Sequence, residues 1–228
     1  MSPPRGLLVA IEGGDGAGKA TTAAETAAQL VAAGRSATVL SFPRYAETLG
    51  GHVLGEYLGG RLPHEAGPRA IATLYALDRF ESAAVIAAAA ASHAVVVFDR
   101  YIASNMAYQA AQVGAGEADT LMRWIARLEC DQFALPIPDL NVYLDTPADV
   151  ARGLILRKRK RSYTDDALDA YEADDALQVR VRERYEAMVA EDLLGGWMRV
   201  PTVAHDALRP PRDIAQAIVA EALTRLSR

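Results

Sequence analysis

The chain has 228 residues, 51% of them hydrophobic, which is enough for one α/β domain with a large buried core and too little for a second independent one. A formal charge of −5 argues against a surface built to coat nucleic acid, so any phosphate binding must be local. The one cysteine, Cys130, excludes an internal disulfide and suits a reducing compartment, although a lone thiol is equally often core packing.

Residues Met1–Gly6 precede an apolar stretch of about six residues, too short for a signal-peptide core or a membrane span, so a cytoplasmic protein without membrane contact is expected. Leu7–Ile11 is a continuous apolar run that ends in glycines, the signature of a buried parallel strand entering a turn. Thr21–Ala33 reads as a helix with Gly34 as its glycine C-cap. The short apolar run recurs at Ala37–Phe42, Ala94–Phe98, Leu140–Leu144 and Trp197–Val200, with helical stretches between. That alternation predicts an α/β fold, a five-stranded parallel sheet flanked by helices on both faces. Ligands of such sheets bind beyond the carboxyl ends of the strands, which selects Gly13–Lys19, Pro43–Tyr45, Asp99–Tyr101 and Asp145. The alanine tract Ala87–Ala91 is simply good helix former. Ala148–Asp192 is strongly charged but carries Leu, Val and Tyr at helical spacing and reads as helix. No linker or internal repeat divides the chain, and four scattered histidines, His52, His64, His93 and His205, predict no structural zinc.

Gly13-Gly14-Asp15-Gly16-Ala17-Gly18-Lys19 lies between a predicted strand and a predicted helix, the context that makes a glycine-rich string a phosphate-binding loop. Its backbone N–H groups and the helix N-terminus would face the phosphates of ATP, with Lys19 reaching the β/γ oxygens. The hydroxyl residue that usually follows the lysine and holds Mg²⁺ is Ala20, with Thr21 and Thr22 behind it, so the metal must rely on phosphates, water and acidic side chains. Asp15 would repel ATP unless a cation or donor lies between. It reads as a metal or sugar contact, or as a cap on the loop's own N–H groups.

Asp99-Arg100-Tyr101, Ser104-Asn105 and Tyr108-Gln109, added to this loop, resemble the bacterial thymidylate kinases. Phe42-Pro43-Arg44-Tyr45, Leu74–Arg79 and Asp169-Ala170-Tyr171-Glu172 extend the resemblance nearly end to end and in order. It implies a single P-loop nucleoside monophosphate kinase domain over residues 1–228 that transfers the γ-phosphoryl of ATP to dTMP, with Mg²⁺. It also implies a homodimer, to which Ala83–Ala91 could contribute. By similarity Arg100 clamps the acceptor phosphate, which a planar guanidinium can grip bidentately. Asp99 would sit near the metal's water, unless an Asp99–Arg100 ion pair serves only the fold. Tyr75 would stack on the base and Arg79 donate to a base carbonyl, although their spacing also suits a core Tyr beside a surface Arg. Asn105 and Ser104 are expected at thymine, and Tyr108 under the sugar where a 2′-hydroxyl would clash. Phe42, Pro43 and Tyr45 would line the entrance, with Arg44 and Tyr45 near the acceptor phosphate.

Arg157-Lys158-Arg159-Lys160-Arg161 is the most cationic stretch of the chain and lies where the family carries a mobile lid, here about residues 157–168. The phosphate loop has Gly16 and Ala17 where some relatives carry a catalytic arginine, so the lid must supply that cation, with Arg157 and Arg161 nominated. A solvated helix end and a nucleic-acid-binding run are the competing readings. The resemblance places Tyr171 near the sugar and acceptor, Glu172 near the metal or the deoxyribose hydroxyl, and adenine at Val203–Leu208. A deoxynucleoside kinase, which would want a carboxylate base, and a non-catalytic nucleotide-binding module are the alternatives.

Overall fold

The computed structural model describes residues 5–62, 66–147, 149–154, 175–205 and 207–227. Five parallel strands form one sheet in the order β2-β3-β1-β4-β5. They are β1 (Leu7–Glu12), β2 (Ala37–Ser41), β3 (Val95–Asp99), β4 (Leu140–Asp145) and β5 (Trp197–Pro201), each within a residue or so of its expected bounds. The central strands β1, β3 and β4 are almost wholly buried because both faces of the sheet are covered there, whereas the edge strands β2 and β5 are only partly buried. In β1 the alternation divides Leu8 and Ala10 from Val9 and Ile11, and the two pairs belong to two separate cores. The first core is completed by α3 (Pro68–Glu81), α4 (Ala83–Ser92), α5 (Ile102–Ala110), α6 (Ala115–Ala126) and α7 (Asp175–Ala190). The second is completed by α1 (Lys19–Ala32) and α8 (Pro211–Leu226). The helix α2 (Leu49–Leu58) packs on α3.

Two residues at the start of α1 escaped the sequence reading, because the helix begins at Lys19, directly on the glycine loop. Its end is as expected: Gly34, at φ 77°, donates to Val31 O at 2.9 Å and Arg35 donates to Leu30 O at 3.0 Å, a Schellman turn. Within the charged stretch, residues 149–154 and α7 are helical. Besides the C-terminal helix α8, two features had no forecast. A π-helical turn, Arg127–Gln132, continues α6, and the hairpin β6 (Val203–Ala204)–β7 (Ala207–Leu208) occupies the segment assigned to adenine. Among the described residues no helix is long and apolar enough to cross a membrane.

Candidate active site

The parallel register fixes what meets at the sheet's carboxyl edge. Ile11 of β1 pairs with Asp99 of β3, so the glycine loop and Arg100 leave neighbouring strands at the same level. The loop turns on Gly13, Gly16 and Gly18, at φ 145°, 77° and 83°, where an L side chain would be strained. Lys19 is buried, and its Nζ donates to the carbonyls of Gly13 at 2.9 Å and Gly14 at 2.6 Å. Burial, then the nearby Arg100 guanidinium, depresses the Lys19 pKa to about 7, against the opposing pull of Asp15 and Asp99. Reaching a phosphate would free Lys19 from the loop carbonyls. Ala20 and Thr21 are exposed at the loop's exit.

Arg100 adopts φ 64°, a left-handed conformation costing roughly 1–3 kcal/mol in a residue with a Cβ. Its backbone N–H donates to Ile11 O at 3.1 Å, so the strained residue is pinned by the strand that carries the loop. The guanidinium forms an ion pair with Asp15 and lies 5.1 Å from the centre of the Tyr108 ring. Asp15 is clasped from the other side by Gln178 of α7, which donates Nε2 to Oδ2 at 2.9 Å and accepts the Asp15 N–H at 3.1 Å. Burial alone would raise the Asp15 pKa, but Arg100 and Lys19 outweigh it and hold the carboxyl below its ordinary value. The cation and donor that a loop carboxylate demands are thus Arg100 and Gln178. The ion pair runs from Arg100 to Asp15, not to Asp99.

Behind the loop, Glu12 closes β1 and is fully buried. It accepts from the Tyr101 N–H at 2.9 Å, the Ser104 hydroxyl at 2.5 Å and the Tyr185 hydroxyl at 3.0 Å. Burial pushes its pKa up in spite of those donors. Glu12 was missed from the sequence, although an acid at a strand's carboxyl end was the available signal. The Ser104 hydroxyl, expected at thymine, donates to Glu12 at the loop's root and lies 3.0 Å from the Tyr185 hydroxyl.

On α3, Ala72, Tyr75 and Arg79 fall at i, i+3 and i+7 and share one face. Tyr75 is half-buried, whereas Arg79 is 1% exposed, which removes the surface-arginine reading. Arg79 donates Nε and Nη2 to Glu129, at 2.5 and 2.6 Å. Asn105 donates Nδ2 to Ala72 O at 3.0 Å and to Glu129 Oε1 at 2.8 Å. Its Oδ1 is buried without a partner among the described residues, a cost of about 1–3 kcal/mol unless a donor arrives. Glu129 is fully buried in the π-helical turn and was also missed, for a short charged run gives no local sign of it.

Two further residues expected at the substrate also make contacts within the protein. Phe42 is 4% exposed and packs on Phe98 and Tyr101, with ring centres 6.2 and 5.9 Å away. Arg44 donates Nη1 to Ser82 at 3.2 Å, at the α3–α4 junction. Asp78, buried, holds that segment by accepting the Arg44 N–H at 3.2 Å and the Thr48 hydroxyl at 2.5 Å. The fourth strand end is structural: Asp145 pairs with Arg182 at 2.9 Å and Arg199 at 2.7 Å. Arg157, Arg161, Tyr171, Glu172 and the expected lid lie outside the described residues.

Among the described residues no three His, Cys, Asp or Glu side chains gather into a metal cluster. A divalent ion carried on nucleotide phosphates asks for less, one or two carboxylates. Asp15, its pKa lowered by Arg100 and Lys19, fits that demand, and Asp99 is near enough for Lys19 to feel its charge.

A family model described as thymidylate kinase matches residues 11–195. The chain is 38% identical over 197 residues to the thymidylate kinase of Mycobacterium tuberculosis, across 85% of this chain and 91% of that one. It is 36% identical over 219 residues to the thymidylate kinase of Leifsonia xyli, across 93% and 92%. With the thymidylate kinase of Trichlorobacter lovleyi it shares 30% identity over 227 residues, across 97% and 99%.

Proposed function

From the premise that this chain belongs to the thymidylate kinase family, we propose that it transfers the γ-phosphoryl of ATP to dTMP, giving dTDP and ADP. The observation that carries the proposal is the Arg100–Asp15 pair. It sets a guanidinium from the end of β3 directly against the phosphate loop at the end of β1, so donor and acceptor phosphates would meet in one crevice.

The acceptor phosphate is already an anionic nucleophile, so the reaction needs no strong base and no covalent enzyme intermediate. The protein's task is to hold two anions in line and offset their repulsion. The N–H groups of the glycine loop and the Lys19 ammonium take the ATP phosphates. Arg100 takes the dTMP phosphate with the nitrogens not engaged by Asp15, and its strained backbone fixes the direction of the guanidinium. Gln178 and Glu12 keep loop and clamp in register from behind. Tyr75 stacks on the base, Asn105 Oδ1 accepts N3–H, and Arg79 Nη1 donates to O4. Asp15 and Asp99 are the described residues that would hold a Mg²⁺ brought in with the nucleotide, which would supply charge neutralisation. The lid arginines Arg157 and Arg161 supply the cation that Gly16 and Ala17 cannot. Tyr171 borders the sugar, and Glu172 completes the metal or sugar contacts.

A homodimer and a cytoplasmic location belong to the same reading. The apolar α4, with its exposed Val85, and the exposed Phe80 at the end of α3 support the first. The test is ADP release from MgATP across a panel of nucleoside monophosphates, with thymidine alongside. dTMP should be the best acceptor and thymidine inert. Turnover of thymidine but not dTMP would make the chain a nucleoside kinase, and ATP binding without ADP release would make it a sensor.

A further inference from the structure

Glu129 contacts both polar side chains assigned to the base, yet its own carboxylate is fully spent inside the protein. An asparagine amide can in principle be turned over, exchanging its donor and acceptor ends at almost no steric cost. Here it cannot. Nδ2 faces the Ala72 carbonyl at 3.0 Å and Glu129 Oε1 at 2.8 Å, and both are acceptors only. Turning the amide would set Oδ1 against a carbonyl and a carboxylate in a buried site. The same carboxylate engages Nε and Nη2 of Arg79 and leaves the two Nη1 hydrogens.

We propose that Glu129 is a specificity-determining positioning residue: it locks Asn105 with Oδ1, and Arg79 with Nη1, toward the base. The inference rests on the acceptor-site reading above. The locked pair presents an acceptor beside a donor. The N3–H and O4 of thymine or uracil complement that pattern. Cytosine presents an N3 acceptor and an N4 amine, so each of its groups meets its like. An unlocked Asn105 could turn and satisfy the N3 of cytosine, removing one of the two conflicts. Glu129 therefore discriminates against cytosine without touching it, through its charge and its two fixed partners.

The test compares Glu129→Gln with the unmodified chain on three acceptors: dTMP, dUMP and 5-methyl-dCMP, which keeps the thymine methyl and changes only the polar edge. A glutamine can offer its amide hydrogens to a turned Asn105. The dTMP to 5-methyl-dCMP ratio of kcat/KM, expected near 10⁴ for a hydrogen-bonded edge, should fall at least about tenfold. The dTMP to dUMP ratio, which reads the methyl, should hold within about twofold. A merely structural role would lower all three rates together and leave both ratios unchanged, which would overturn the proposal. Ratios are independent of the fraction folded. Should the variant not fold at all, neutron diffraction from the unmodified protein with dTMP decides: deuterons of Asn105 Nδ2 on Ala72 O and Glu129 support the lock, and deuterons on the base refute it. If the unmodified chain turns over no dTMP, the failure lies in the proposed function and not in Glu129.

Discussion

Raising the pH from 7 to 9 should weaken ATP binding through Lys19 alone. Burial and Arg100 depress its pKa to about 7, so about half of the protein carries the ammonium at pH 7 and about one part in a hundred at pH 9. Phosphate oxygens placed beside Nζ favour the charged form, so binding must draw a proton from solvent wherever Lys19 is neutral. The affinity of a non-hydrolysable MgATP analogue should then fall about 50-fold across this interval, with about 0.9 proton taken up per site at pH 8. Titration calorimetry in two buffers of different ionisation enthalpy measures that uptake directly. The same displacement makes folding stability rise with pH from about 7 toward the ordinary lysine value of 10.5, because the unfolded chain holds the proton over that range and the folded chain does not. An affinity flat between pH 7 and 9, with no proton uptake, would refute the assignment of a depressed Lys19 at the phosphate site.

Lys19→Ala and Arg100→Ala should each cost about 10²–10³ in kcat, read by steady-state ADP release. dUMP should be a poor but real acceptor, about 10–200-fold below dTMP in kcat/KM, since a single methyl is worth only about 1–3 kcal/mol. Glu12→Ala strips the acceptor from three buried donors, Tyr101 N–H, Ser104 and Tyr185, and should destabilise the fold by about 2–4 kcal/mol in chemical denaturation. Gln178→Ala should loosen Asp15 and lower kcat/KM by about tenfold while leaving the melting temperature within a few degrees.

The sheet was legible because its strands are short, mostly apolar runs, almost wholly buried in β1, β3 and β4 and partly buried in the edge strands β2 and β5, and such runs carry their signal within six residues or fewer. The glycine loop was legible for the same reason, its function being written in consecutive backbone N–H groups. Arg100 and Asn105 were found by resemblance, and their placement follows from strand ends and helix spacing. What the sequence concealed are contacts across long separations. Glu12 meets Tyr185 across 173 positions, Asp15 meets Gln178 across 163, and Arg79 meets Glu129 across 50. Glu129 is the sharpest case. In Arg127-Leu128-Glu129-Cys130-Asp131-Gln132 it reads as one more solvated acid, and only the π-helical turn shows it buried beside Leu128. A motif position likewise gave no sign of the internal partners of Ser104, Phe42 and Arg44.

The account stands or falls on two nucleotides meeting phosphate to phosphate between Lys19 and Arg100. Calorimetric titration with an adenosine and a thymidine joined through a five-phosphate bridge measures this, because linkage makes the second site intramolecular. It should bind about 10²-fold or more tighter than ATP or dTMP alone, and it should displace both. Binding no tighter than ATP, with dTMP still able to bind beside it, would contradict the shared crevice.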